Sequence, residues 1–219
     1  MPYRRTENVV RRLAEREQTI VEAARSAARS GGMQAVQIAT IAERAGIASG
    51  TVYRYFPSKS ELVSELIGTV AERTLAAMRD AADAAPGPLS ALAAAIATFA
   101  AQSLDERRLA WAAIAEPAET DIETARLDFR RALVAELQTR IAEAAAHGHL
   151  PEQDFAGAAS ALVGAVLESL IGPLAPDLTE RAQQRETIQN TALFALRALG
   201  VNDARARGLV VQIVLAEAS

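Results

Sequence analysis

The chain has 219 residues, half of them apolar, with only 4% aromatic residues, a formal net charge of −4 and no cysteine. That length can bury the core of one large domain or two smaller ones, and the absence of cysteine excludes disulfide staples, thiolate nucleophiles and cysteine metal sites. Abundant alanine with little β-branched alternation argues against sheets and for an all-α fold of packed helices.

The charge is unevenly placed. Residues 1–62 hold ten Arg or Lys against six Asp or Glu, a balance of +4, and residues 63–219 hold thirteen against twenty-one, a balance of −8. A basic N-terminal segment on an acidic body is suited to a polyanionic partner. The opening MPYRRTENVVRR has no apolar signal-peptide core. The most apolar segments, Leu89 to Leu104 and Phe155 to Leu167, are shorter than the roughly 18 residues that cross a bilayer. A soluble cytoplasmic protein with no membrane partner is expected.

In chain order, Ile20, Ala23, Ala24, Ala27 and Ala28 share one face of a first helix predicted from Ala14 to Ser30 and stopped by Gly31-Gly32. Ile38, Ile41, Ala42 and Ala45 follow helical spacing in a second, short helix, ended by Gly46, which can take the left-handed conformation beyond a helix end. A third runs from about Ser49 to Phe56 and is stopped by Pro57. Two short helices joined by a Gly-containing turn form a helix-turn-helix. At about 100° per residue, Val52 and Phe56 point together into the core, Gly50, Thr51 and Arg54 face outward, and Tyr53 and Tyr55 emerge about 80° to either side. A helix entering the major groove needs that arrangement: small or hydrogen-bonding groups toward base edges and donors on both flanks for the phosphate walls. Lys59 follows on SKSEL, where Ser58 can cap the next helix and a cation joins the free N–H groups as a phosphate site.

Further helices are predicted from Ser58 to Ala84, Pro88 to Leu104, Glu106 to Ala115, Asp121 to His147, Asp154 to Ile171, Thr179 to Leu199 and Asn202 to Ala216. The breaks fall at PGP, EP, HGHLP and GPLAP.

The stretch TIVEAARSAARSGGMQAVQIATIAERAGIASGTVYRYFPSKSELV, Thr19 to Val63, resembles the DNA-binding domain of the TetR family of bacterial transcriptional regulators, most specifically in AGIASGTVYRYFPSKSEL. The later helices resemble the family only in length, number and order. The resemblance implies a three-helix DNA-binding domain over residues 1–60, with a basic N-terminal arm, and a helical effector-binding and dimerisation domain over residues 61–219. By position it places Gln37 and Ala39 at the DNA backbone, puts Ser49, Gly50, Thr51, Tyr53 and Tyr55 on the recognition helix, and makes Lys59 a phosphate anchor. Arg54 joins this set by its outward direction. The sequence departs from the family pattern at Gln37 and Ala48, where Ser or Thr caps are usual, and at Ala27 and Ala28, where a bulkier pair is usual and Met33 can fill the gap. Arg4, Arg5, Arg11 and Arg12 can extend contacts into the minor groove or the phosphates.

The implied partners are a double-stranded DNA operator, a second copy of the chain and a small-molecule effector. Gly157, Ala161, Gly164 and Ala165 form a small-residue face, and Ile188, Ala192, Ala195 and Leu199 form a second seam; both are expected to meet their mates in a four-helix dimer interface. Twofold-related reading heads reach half-sites about 34–36 Å apart, so the operator should be roughly palindromic. Met78, Phe99, Trp111, Phe129 and Phe155 are candidates to line an effector cavity, and Arg130 and Glu116 can supply polar recognition if buried.

Catalysis is not expected. His147 and His149 lie at a helix end with no further His or Cys to complete a metal site. Glu116, Glu119, Asp121 and Glu123 coincide with a helix start, where acids are favoured and Asp121 can cap. No GxGxxG, GxxxxGK or GxSxG string occurs. No cofactor and no metal are expected. The sequence reads as a ligand-responsive regulator, a repressor released from DNA by its effector; the alternative is an all-helical binding or scaffolding protein with a structural helix-turn-helix.

Overall fold

Ten α-helices and one 3₁₀ turn make up the ordered elements of the protein among its described residues. They are α1 (Tyr3–Gly31), the 3₁₀ turn (Met33–Ala35), α2 (Ile38–Arg44), α3 (Ser49–Tyr55), α4 (Lys59–Asp83), α5 (Pro88–Asp105), α6 (Arg107–Ile114), α7 (Thr120–Ala146), α8 (Phe155–Leu170), α9 (Arg181–Ala198) and α10 (Asp203–Gln212). The structure, a computed structural model, describes residues 3–117, 120–178 and 180–213, with side chains from residue 8. The side chains of Arg4 and Arg5, and residues Glu119, Thr179 and 214–216, lie outside the described residues.

The helix limits follow local chemistry. Ser58 caps α4 by accepting the Glu61 N–H at 3.1 Å, Asp154 caps α8 by accepting the Gly157 N–H at 3.0 Å, and Asn202 caps α10 by accepting the Ala204 N–H at 2.9 Å. Pro88 occupies the first turn of α5, where its missing N–H would have no partner anyway. Asp121 lies inside the first turn of α7, one residue past its start, and acts there through its charge at the positive helix end. The expected cap role is corrected accordingly.

The first helix begins eleven residues earlier than the expected Ala14. Residues 8–19 are exposed throughout, so α1 projects beyond its own domain before Ile20, Ala24, Ala27 and Ala28 bury against α2 and α4. Met33 is buried in the same core. In the second domain α5 is central, packing against α4, α7 and α9, which accounts for its alanine-rich sequence: buried faces on several sides leave little room for long side chains. No helix among the described residues is long and apolar enough to cross a membrane.

Candidate nucleic-acid interface and ligand cavity

The helix-turn-helix rests on two buried side chains. Val52 is 0% exposed, Phe56 is buried, and α2 packs directly against α3. Gly46, at φ +64°, makes the turn between them, and the Ile47 N–H reaches back to the Ala42 carbonyl at 2.9 Å. On the opposite side Ser49, Gly50 and Arg54 are exposed and Thr51 is half-buried. The two tyrosines differ: Tyr53 is 52% exposed, whereas Tyr55 is half-buried against the core with the Arg54 guanidinium 6.0 Å from its ring centre. A Cβ at Gly50 would meet nothing within 4 Å, so its surroundings are open.

Lys59 is half-buried at the first residue of α4, above the Ser58 cap. Gln37 and Ala39 are exposed at the start of α2. Neither Gln37 nor Ala48 caps its helix; the Gln37 side-chain amide turns back to donate to the Gln34 carbonyl at 2.9 Å. The candidate DNA-contact residues thus lie at the starts of α2 and α4 and along α3.

Helix α6 joins this unit to the second domain. Arg25 of α1 donates to Glu106 at 2.6 Å, and Arg29 lies 3.3 Å from the same carboxylate oxygen. Arg108 donates to the Ser30 carbonyl, and the Met33 N–H donates to Glu116 at 3.2 Å. A further pair, Arg73 of α4 with Glu22 of α1 at 3.3 Å, lies on the same side. From within the second domain, Arg126 of α7, 1% exposed, donates its Nε and Nη2 to the Ala112 carbonyl at 3.0 and 2.8 Å, near the negative end of α6. Burial lowers its pKa from the ordinary arginine value, opposed by Glu123 and then Glu116.

A cavity of about 170 Å³ opens beside this junction. Phe99, Leu109, Ile114 and Phe129 supply apolar wall, and Arg25, Arg73, Thr74, Gln102, Ser103, Asp105 and Glu106 supply the polar part. Of the five expected lining residues, Phe99 and Phe129 are there. Met78, Trp111 and Phe155 do not line this cavity: Met78 is fully buried in the core, and Trp111 and Phe155 are half-buried beside it. Arg130 is exposed on the outside of α7, and Glu116 is engaged at the junction. The polar lining was not identified from the sequence, although Thr74 falls in the buried register between Ile67 and Met78, and Ser103 lies one turn after Phe99.

The two expected dimer seams separate. On α8, Gly157 and Ala161 are exposed and Gly164 and Ala165 half-buried. On α9, Ile188, Ala192 and Ala195 are buried within the subunit, with α9 packed on α5, so that seam is an internal contact. The outward face of α9 instead presents Phe194, 56% exposed, in register with exposed Asn190 and Ala198. His147 and His149 stack with ring centres 6.3 Å apart at the end of α7, and no metal-ligating cluster occurs among the described residues.

A three-helix unit containing a helix-turn-helix thus packs against a helical body that holds a cavity. Residues 20–66 match the family model for bacterial regulatory proteins of the tetR family. The HTH-type transcriptional repressor KstR of Mycolicibacterium smegmatis is 48% identical over 59 residues, 27% of this chain and 29% of the relative. KstR2 of Mycobacterium tuberculosis is 39% identical over 61 residues, 28% of this chain and 30% of the relative. The matched segment thus spans less than a third of these relatives. Over the whole fold, the structure of RolR in complex with resorcinol superposes with a TM-score of 0.68 at 22% identity, covering 94% of this chain and 100% of that one. The fatty acid degradation regulator FadR of Bacillus halodurans gives 0.73 at 19% identity, covering 85% and 97%.

Proposed function

We propose that the protein is a transcriptional repressor that binds duplex DNA through α3 and is released when a small molecule enters the cavity beside α6. The observation that carries this reading is the outer face of α3, where small Gly50, Tyr53 and Arg54 stand exposed over a core fixed by Val52 and Phe56. Ser49 and Thr51 offer hydroxyls toward base edges, Tyr53 and Tyr55 reach the two phosphate walls, and Lys59 with the start of α4 holds a phosphate. Gln37 and Ala39 approach the backbone from α2. The KstR relatives are repressors by name, and RolR, of similar fold, was solved with the ligand resorcinol, which accords with DNA and a small molecule as the partners here.

The active form is a homodimer in which α8 and the outer face of α9 pair with their twofold mates. Gly157, Ala161, Gly164 and Ala165 let a helix approach closely, and Phe194 gives an exposed aromatic anchor on the adjoining helix. A palindromic operator follows from the twofold axis.

Retention of genomic DNA fragments on the full chain, measured at two salt concentrations, tests the reading. A specific subset is retained and its retention weakens as salt rises, because each neutralised phosphate releases counterions. Retention that is indifferent to salt, or unchanged by Tyr53→Phe combined with Lys59→Ala, contradicts it. A monomer in sedimentation at micromolar concentration contradicts the dimer.

A further inference from the structure

The cavity beside α6 has a polar side that the protein leaves incomplete. Hydroxyls on helices readily donate to the carbonyl four residues back, and Thr69, Thr139 and Thr191 do so. Thr74 and Ser103, both buried in the cavity wall, have no hydrogen-bond partner among the described residues, and neither does the side-chain amide of Gln102. Arg25 is also incompletely used. Its Nη2 meets Glu106 at 2.6 Å and its Nη1 meets Glu22 at 3.3 Å, but its Nε is buried without a partner. A guanidinium presents Nε and Nη as a fork matched to the two oxygens of a carboxylate, and here the fork is half-filled.

The charges around the fork permit an exchange. Glu106 is held by Arg29 at 3.3 Å as well as by Arg25, so it keeps a cationic partner if Arg25 turns to a ligand. Arg73, paired with Glu22 at 3.3 Å, lines the same cavity, and Asp105 and Glu106 are its acids. What selects an anion is the unfilled Nε of Arg25, which a neutral ligand would leave without a charged partner. Size narrows the class further. At about 170 Å³ the space is below the roughly 300 Å³ of sites for drug-sized ligands and close to the roughly 150 Å³ apolar cavity that takes one benzene ring.

Resting on the reading of this cavity as the effector site, we propose that it binds a compact monocarboxylate whose body is about the size of one ring, and that its carboxylate takes Arg25 from Glu106. The ring lies against Phe99, Leu109 and Phe129, and the hydroxyls of Thr74 and Ser103 complete its polar contacts. Because Arg25 and Arg29 both belong to α1 and Glu106 immediately precedes α6, the exchange leaves one of the two ion pairs that tie α1 to Glu106 and so loosens the junction. Ligand binding and DNA binding thereby share one ion pair.

The test uses the full chain and its single tryptophan, Trp111 on α6, as a fluorescence reporter. Benzoate and cyclohexanecarboxylate are titrated beside phenol and benzylamine, neutral and cationic molecules of similar size. Both acids shift the emission with saturation, at least tenfold more tightly than either control. Arg25→Gln weakens acid binding at least tenfold, and Ser103→Ala, which keeps every charge, weakens it several-fold. Thermal melting of each variant with and without benzoate reports ligand stabilisation independently of the fluorophore and confirms that the variants fold. No saturable response by either readout for both acids overturns the proposal, as does equal binding of phenol or unchanged binding by Arg25→Gln. A separate arm measures DNA retention with and without benzoate. Weakening by about 5- to 150-fold, the usual span of coupling between sites, is expected. Acid binding without that weakening overturns the ion-pair exchange alone, and absence of DNA retention in the unliganded chain overturns the regulator reading while the fluorescence result stands.

Discussion

Replacing Val52 by alanine probes the anchor on which the proposed DNA-binding surface depends. Helix α3 has seven residues, far fewer than the roughly 12–15 at which an isolated helix becomes even marginal, so its position comes from packing. Val52 is fully buried. Val52→Ala removes two methyl groups, worth about 1.6 kcal/mol at about 0.8 kcal/mol per buried carbon. A cavity term raises the expected loss to roughly 2–3 kcal/mol, between the ranges for Ile→Val and Leu→Ala. The loss is concentrated in the helix-turn-helix, because α2 and α3 pack on one another whereas α5 packs against α4, α7 and α9. Amide exchange at residues 49–55 should accelerate by about thirtyfold or more, as about 2 kcal/mol implies, while amides in the middle of α5 change little. Thr51→Ala, half-exposed, serves as the control and stays within about 0.5 kcal/mol. Unaltered exchange across α3 in the Val52 variant would refute the assignment of Val52 as its anchor.

Other substitutions probe different parts of the same account. Gly46→Ala introduces a side chain at φ +64° with no neighbour within 4 Å, so the loss is conformational, about 1–2 kcal/mol by chemical denaturation, with no steric component. Arg126→Met retains most of the buried volume but leaves the Ala112 carbonyl without its two donors, and destabilises by about 1–3 kcal/mol in the same assay. Asp203 accepts from Arg197 and Arg207, which hold its carboxyl below the ordinary value of 3.8. Its contribution to stability is present above that ordinary value and disappears as pH falls through the lower folded value. Asp203→Asn should therefore flatten the acid limb of a stability–pH curve and abolish the contribution of this carboxylate at neutral pH.

Much of this organisation is legible from residue spacing, and the misses have identifiable causes. Helices α2 to α8 begin and end within two residues of their expected limits because caps such as Ser58 and Asp154, Pro88 in a first turn, and the breaks after α4, α6 and α7 act locally. The start of α1 carries no sequence signal because residues 8–19 bury nothing, and an exposed helix has no need of an apolar stripe. The seam through Ile188, Ala192 and Ala195 is real, but periodicity cannot distinguish α5 of the same subunit from a second chain. The exposed direction of Phe194 depends on that packing. In the cavity, aromatic size led to Phe99 and Phe129 and also to Met78, Trp111 and Phe155, whereas the informative signal was polar residues in a buried register, Thr74 and Ser103. Arg25 could not be found this way, since its place in the cavity depends on how α1 sits against α6.

The central claim is that the outer face of α3 enters a DNA groove. Amide shifts of the full chain titrated with a retained duplex would test it most directly: the account predicts that the largest changes fall on residues 49–55 and 58–60, with smaller ones at 37–39 and little change along α9. Changes centred on α8 and α9 with α3 silent would contradict it.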